Sequence, residues 1–120
     1  MCPGAPPDEG SAVPAAVTEL VRRSIDRLET LHVLFLLQST APREWTIGDV
    51  SLERRSSRYA AEMSLRALAR HGLLSREGDA YRFGPQTDEL ARRTAALADC
   101  YRLRPAAVIA LIFSRRGPDE

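Results

Sequence analysis

The sequence predicts a mainly α-helical fold that carries one short β-hairpin, and three observations predict it. Apolar residues recur at helical spacing in four separate segments. The stretch "SRYAAEMSLRALARHGLL" at 57–74 opens on a serine and reaches a glycine at 72, residue types that favour helix starts and stops. Directly after it, "LLSREGDAYRF" places two short runs on either side of a turn glycine. At 120 residues, 44% hydrophobic and 28% charged, the chain has the size and composition of one soluble globular domain.

Residues 1–16 are rich in Pro, Gly and Ala and lack apolar periodicity, so they read as a disordered leader. The acidic "GPDE" at 117–120 reads as a fraying tail, which leaves 17–116 as a single domain. A first long helix is expected from about Thr18 to Gln38. Its second half, with Ile25, Leu28, Leu31, Val33, Leu34, Phe35 and Leu37, is apolar almost all round, as in a helix crossing a core. His32 within it fits a packed or partner-bonded core histidine. Pro42 in "STAPREW" closes this region, and Trp45 fits a packing anchor ahead of the next helix.

Thr46 and Asp49 in "TIGD" have the spacing of a capping box and open a second helix over 46–54, with Ile47, Val50 and Leu52 as its core contacts. "RRSS" makes a turn, and Ser57 should cap a third helix. At about 100° per residue, Ala61, Leu65 and Leu68 share one narrow sector of that helix. Tyr59, Met63, Arg66 and Arg70 project from the opposite side, with Glu62 at its edge. Gly72 is the expected stop, because glycine enters the left-handed conformation that ends helices. The hairpin follows, with its tip at Glu77-Gly78-Asp79 and with Leu74, Tyr81 and Phe83 as its packed face. Thr87 should cap a last helical segment, 87–113, carrying Leu90, Thr94, Leu97 and Tyr101, and kinked or restarted by Pro105.

Helix, short helix, glycine-stopped helix, hairpin and long helix is an order with a known likeness. Residues 46–84 resemble a winged helix-turn-helix domain of the kind found in small bacterial transcription regulators. The resemblance rests on Thr46 to Leu52, Ser57, the buried Ala61, Leu65 and Leu68, Gly72-Leu73-Leu74, and the Glu77-Gly78-Asp79 tip. It implies a three-helix core with a short wing, flanked by long helices at 18–38 and 87–113. It also implies that 57–71 is a recognition helix entering the major groove of double-stranded DNA, with the wing on the backbone. The implied contacts are Arg55, Ser57, Arg58, Tyr59, Glu62, Met63 and Arg66 from the turn and helix, and Arg76 and Arg82 from the wing.

Charge placement points the same way independently. All seventeen basic residues are arginine, yet the whole chain is only +1. Residues 54–70 hold five of those arginines (54, 55, 58, 66 and 70) against Glu62 alone. A local excess of this kind attracts phosphate and makes affinity fall with salt. Arg58 and Arg66 suit guanine edges, Tyr59 a phosphate or thymine methyl, and Arg76 and Arg82 phosphates. The other reading of the same face is a protein-interaction module that binds no DNA, since Met63 suits a protein contact and the wing tip is acidic.

Other chemistries find no apparatus. Cys2 and Cys100 match no zinc or redox spacing, and neither His32 nor His71 has a metal-spaced partner, so no metal or cofactor is expected. No nucleophile–base set or glycine-rich phosphate loop is present, and catalysis is not expected. Without a basic-then-apolar leader or a run of spanning length, a cytoplasmic protein with no membrane segment is expected. The run "AAVIALIF" at 106–113 needs cover on several sides. Leu97, Tyr101, Val108, Leu111 and Ile112 could find it in a homodimer or within the chain itself.

Overall fold

A computed structural model describes residues 13–114 and bears out a mainly α-helical chain with a small antiparallel sheet. In chain order the elements are α1 (Ala15–Ser24), α2 (Leu28–Ser39), β1 (Trp45–Thr46), α3 (Ile47–Arg54), α4 (Arg58–Arg70), β2 (Leu74–Glu77), β3 (Ala80–Phe83), α5 (Asp88–Leu103) and α6 (Pro105–Ser114). The described residues group into two compact units, one of 27–91 and one of 13–26 with 92–114.

In the 27–91 unit, α4 is the central piece and contacts α2, α3 and β2. Its buried positions are Ala61, Ser64, Leu65 and Leu68, the expected stripe plus one serine. That serine is satisfied: its hydroxyl lies 3.3 Å from the Thr30 hydroxyl of α2, a buried polar pair across the helix contact. Leu31, Leu34 and Leu37 of α2 and Val50 of α3 are fully buried as well.

The local stop and start signals act as expected. Thr46 caps α3 through a reciprocal box, in which Asp49 N donates to Thr46 Oγ1 at 3.1 Å and Thr46 N donates to Asp49 Oδ2 at 3.2 Å. Ser57 Oγ accepts from Ala60 N at 3.0 Å and starts α4, and Thr87 Oγ1 accepts from Leu90 N to start α5. Gly72 ends α4 with φ of +82°. There Leu73 N donates to Leu68 O and Gly72 N to Ala69 O, both at 3.0 Å, which is the Schellman pattern. A three-residue turn, Arg55 to Ser57, joins α3 to α4. Arg55 stands at its head with φ of +55°, a left-handed conformation that costs a non-glycine residue on the order of 1 kcal/mol. The Ser51 hydroxyl bonds the Ser56 carbonyl and helps hold the turn.

The sheet has strand order β1-β3-β2, antiparallel throughout. Glu77 pairs with Ala80, so Gly78 and Asp79 alone form the tip, with Gly78 at φ of +61°. Register then decides the faces. Directly paired residues share a face, so Leu74, Arg76, Tyr81 and Phe83 lie on one side, and Ser75, Glu77, Ala80 and Arg82 on the other. Leu74 and Tyr81 are buried and Phe83 is half-buried.

The second unit pairs α1 with α6. Val17, Leu20, Val21 and Ile25 are buried on the N-terminal side, and Thr94, Leu97, Val108 and Ile112 on the C-terminal side. The surface ion pairs Glu19–Arg23 and Glu19–Arg93, at 3.6 and 3.8 Å, add little in water.

Four expectations are corrected. The single helix 18–38 is two helices, interrupted where Ile25 and Arg27 take extended backbone conformations. Ser24 and Asp26 favour such a break, because their side chains compete for backbone groups. Residues 13–16, expected within a leader, are ordered: Val13 is buried and α1 begins at Ala15; residues 1–12 and the tail 117–120 lie outside the described residues. Leu52 is no core contact: it is 81% exposed. Trp45 is buried as expected, but as part of a third strand paired with Tyr81. Pro105 restarts the last helix after Arg104, as its missing N–H requires.

Candidate nucleic-acid interface

The interface begins with the outward side of α4. Its amphipathic spacing turns Leu65 and Leu68 inward, which leaves Arg58, Tyr59, Arg66 and Arg70 exposed, Tyr59 by 69%. Met63 and Glu62 are half-buried on the flank, and Ser57 is exposed but already engaged as the cap. Arg58 and Arg70 make no ion pair with any described residue. Arg66 does: its Nη1 lies 3.2 Å from Glu62 Oε2 one turn back, a solvent-exposed pair that another anion can replace at small cost.

Not every arginine of the 54–70 cluster is offered. Arg54 is withdrawn into a network within its own unit, donating through Nε and Nη2 to both carboxylate oxygens of Glu29 at 3.1 and 3.0 Å. The same Nη2 donates to His32 Nδ1 at 2.9 Å, which requires an imidazole unprotonated at that nitrogen. Arg55 is exposed, at the turn rather than on the helix face. The excess over residues 54–70 is therefore smaller at the surface than in the sequence.

The network has a pH consequence. Burial first and the Arg54 cation second hold the His32 pKa below its ordinary 6.5, although Glu29 pulls the other way. A base depressed in the folded state binds protons more readily when unfolded, so its contribution is intact above 6.5 and is lost as pH falls through 6.5 toward the folded value. Thermal melts against pH should show this loss in the parent chain and a flatter profile in His32→Gln.

The hairpin brings Arg76, but not Arg82, to the same place as α4. Arg76 lies on the Tyr81 face, with its guanidinium 5.2 Å from the Tyr81 ring centroid and its Nε donating to Gly78 O at 3.0 Å. One cleft of about 290 Å³ is lined by Thr46, Ile47, Gly48, Arg58, Arg76, Asp79 and Tyr81. A second, of about 310 Å³, is lined by Arg66, Ala69, Arg70, Arg76 and Tyr81. Arg82 belongs to the opposite face, in a recess with Glu44, Ser75, Glu77 and Ala80 that Arg76 also borders but no residue of α4 lines. Gly48 borders the first cleft, where a Cβ would stand 3.0 Å from Arg58 Nη1, the far end of a flexible side chain that can move aside. Its part, and that of Tyr81, carried no signal in residue type or spacing.

In the other unit, three of the five residues that could find cover in a homodimer or within the chain itself are buried within the chain. Leu97, Val108 and Ile112 are fully buried within the single chain, while Tyr101 and Leu111 are half-buried. The periodicity of the segment is what turns these three away from the surface. Leu103 and Phe113 are exposed instead. Cys100 is a free thiol, and burial with Asp99 nearby raises its pKa; Cys2 lies outside the described residues. Among the described residues no group of three His, Cys, Asp or Glu side chains could hold a metal ion, and no helix is long and apolar enough to cross a membrane. Compared with protein-family models, with curated proteins and with solved structures, the chain matches none.

Proposed function

We propose that the chain is a winged helix-turn-helix protein that binds double-stranded DNA as a small bacterial transcriptional regulator. In this reading α3, the three-residue turn and α4 are the helix-turn-helix, and the β2–β3 hairpin is the wing. The observation that carries it is the convergence of Arg58, Arg66 and Arg70 of α4 with Arg76 of the hairpin on two adjoining clefts. Helix α4 then supplies Arg58, Tyr59, Glu62 and Arg66 to the major groove, and Arg76 rests on the backbone. Arg82, on the other face of the hairpin, is left out of this contact. Arg55 at the turn meets a flanking phosphate.

Salt dependence tests the reading. With about four phosphates neutralised, duplex affinity should fall on the order of a hundredfold between about 50 and 200 mM salt. A fluorescence-anisotropy titration at several salt concentrations measures the slope. A second reading has its own observation: Leu52 and Tyr59, large apolar-bodied side chains, are 81% and 69% exposed in the same unit. They favour a module that holds a partner protein. Such a contact would weaken little with salt, and a flat titration would transfer the function to it.

A further inference from the structure

Tyr81 joins the two arginine clefts and has a chemistry of its own. It is 1% exposed, and its hydroxyl is buried without a hydrogen-bond partner among the described residues. Buried hydroxyls are nearly always paired, so an orphan one beside a cleft marks a place for an outside group. The cleft of about 310 Å³ beside it is lined by Arg66, Ala69, Arg70, Arg76 and Tyr81, with no carboxylate among the described residues of its wall. Glu62 touches a single nitrogen of Arg66, and Arg76 is steadied over the tyrosine ring by its bond to the Gly78 carbonyl. Arg70 has no ion pair among the described residues.

Every polar side chain in this wall is a donor, so the complement is a group made of acceptors. A carboxylate brings only two oxygens to three guanidiniums and a hydroxyl. A phosphate brings more, and the guanidinium fork matches it in bidentate fashion. We propose that this cleft seats a phosphate group, with Tyr81 Oη donating from its floor and Arg66, Arg70 and Arg76 supplying the charge. A phosphorylated small molecule and a nucleic-acid backbone share this chemistry. The site does not rest on base reading by Arg58 and Tyr59, which it does not use.

The full chain is titrated with inorganic phosphate at constant ionic strength, chloride making up the balance. Calorimetry and the shifts of the arginine Nε–H groups report binding. Saturable binding at about millimolar concentration or better is expected, weakened about tenfold in Tyr81→Phe and at least as much in Arg70→Ala. Tyr81→Phe removes a hydroxyl that no described residue pairs, so its Tm without phosphate should equal or exceed the parent's. A lost site in a folded variant is then a lost contact. Methyl phosphate and dimethyl phosphate separate the sources. Preference for the monoester supports the seat and identifies a small phosphorylated ligand, and equal or tighter binding of the diester supports it as a backbone contact. Absence of saturation, or the same affinity in both variants as in the parent, overturns the proposal. Duplex affinity measured on the parent reports the DNA reading separately.

Discussion

Leu65→Ala should lower the free energy of unfolding by about 2–5 kcal/mol, as deletion of a fully buried leucine does where the surroundings cannot close the gap. Leu65 is 0% exposed near the middle of α4, the helix that contacts α2, α3 and β2 at once. Collapse onto the vacated volume would need movement of α4 itself. That helix is fixed at its start by the Ser57 cap, at Ser64 by the hydroxyl pair with Thr30, and at its end by Gly72. The cavity should therefore persist. Domains of this size are stable by roughly 5–15 kcal/mol, so this one change removes a large share. Chemical denaturation measures it against Leu52→Ala on the neighbouring helix, whose side chain is 81% exposed and should shift stability by no more than about 0.5 kcal/mol. Equal effects of the two would mean that α4 is not anchored through its leucine stripe.

The same helix shows which features a sequence discloses. Ser57, Thr46 with Asp49, Gly72 and Thr87 mark element ends through bonds made within a few residues, and all four act as their residue types indicate. The stripe of Ala61, Leu65 and Leu68 follows from helical period alone. The break at Ile25–Arg27 was hidden, because apolar residues keep helical spacing through it from Val17 to Leu31. A strand of two residues, Trp45–Thr46, is too short to show alternation, and pairing with β3 is what defines it. At the interface, exposure of Arg58, Tyr59, Arg66 and Arg70 was legible from period. The loss of Arg54 was not, since its partner Glu29 is 25 residues away. The separation of Arg76 from Arg82 was within reach: a two-residue tip at Gly78-Asp79 fixes 76 opposite 81 and 75 opposite 82, hence opposite faces. The orphaned Tyr81 hydroxyl is a property of the packed state, and no local pattern announces it.

Arg58→Ala combined with Arg66→Ala should cost duplex binding on the order of a hundredfold or more while leaving the fold intact. Both side chains are exposed, so neither truncation opens a cavity. Arg58 has no ion pair to lose among the described residues, and Arg66 loses only its exposed contact with Glu62. Such a contact is worth about 0.2–1 kcal/mol, too little to unfold the protein and too little to keep Arg66 from a guanine or a phosphate. Good base contacts contribute about 1–3 kcal/mol each, so removing two brings the expected loss to roughly 2–6 kcal/mol. Anisotropy titration at fixed salt measures it. Arg54→Ala is the contrasting variant: it strips Glu29 and His32 of their shared donor, and should lower Tm more than it changes affinity. The two variants thus separate a face that reads from a network that holds. If the double variant binds the duplex as tightly as the parent, Arg58 and Arg66 are not its readers, and the exposed Leu52 and Tyr59 make a protein partner the stronger account of this surface.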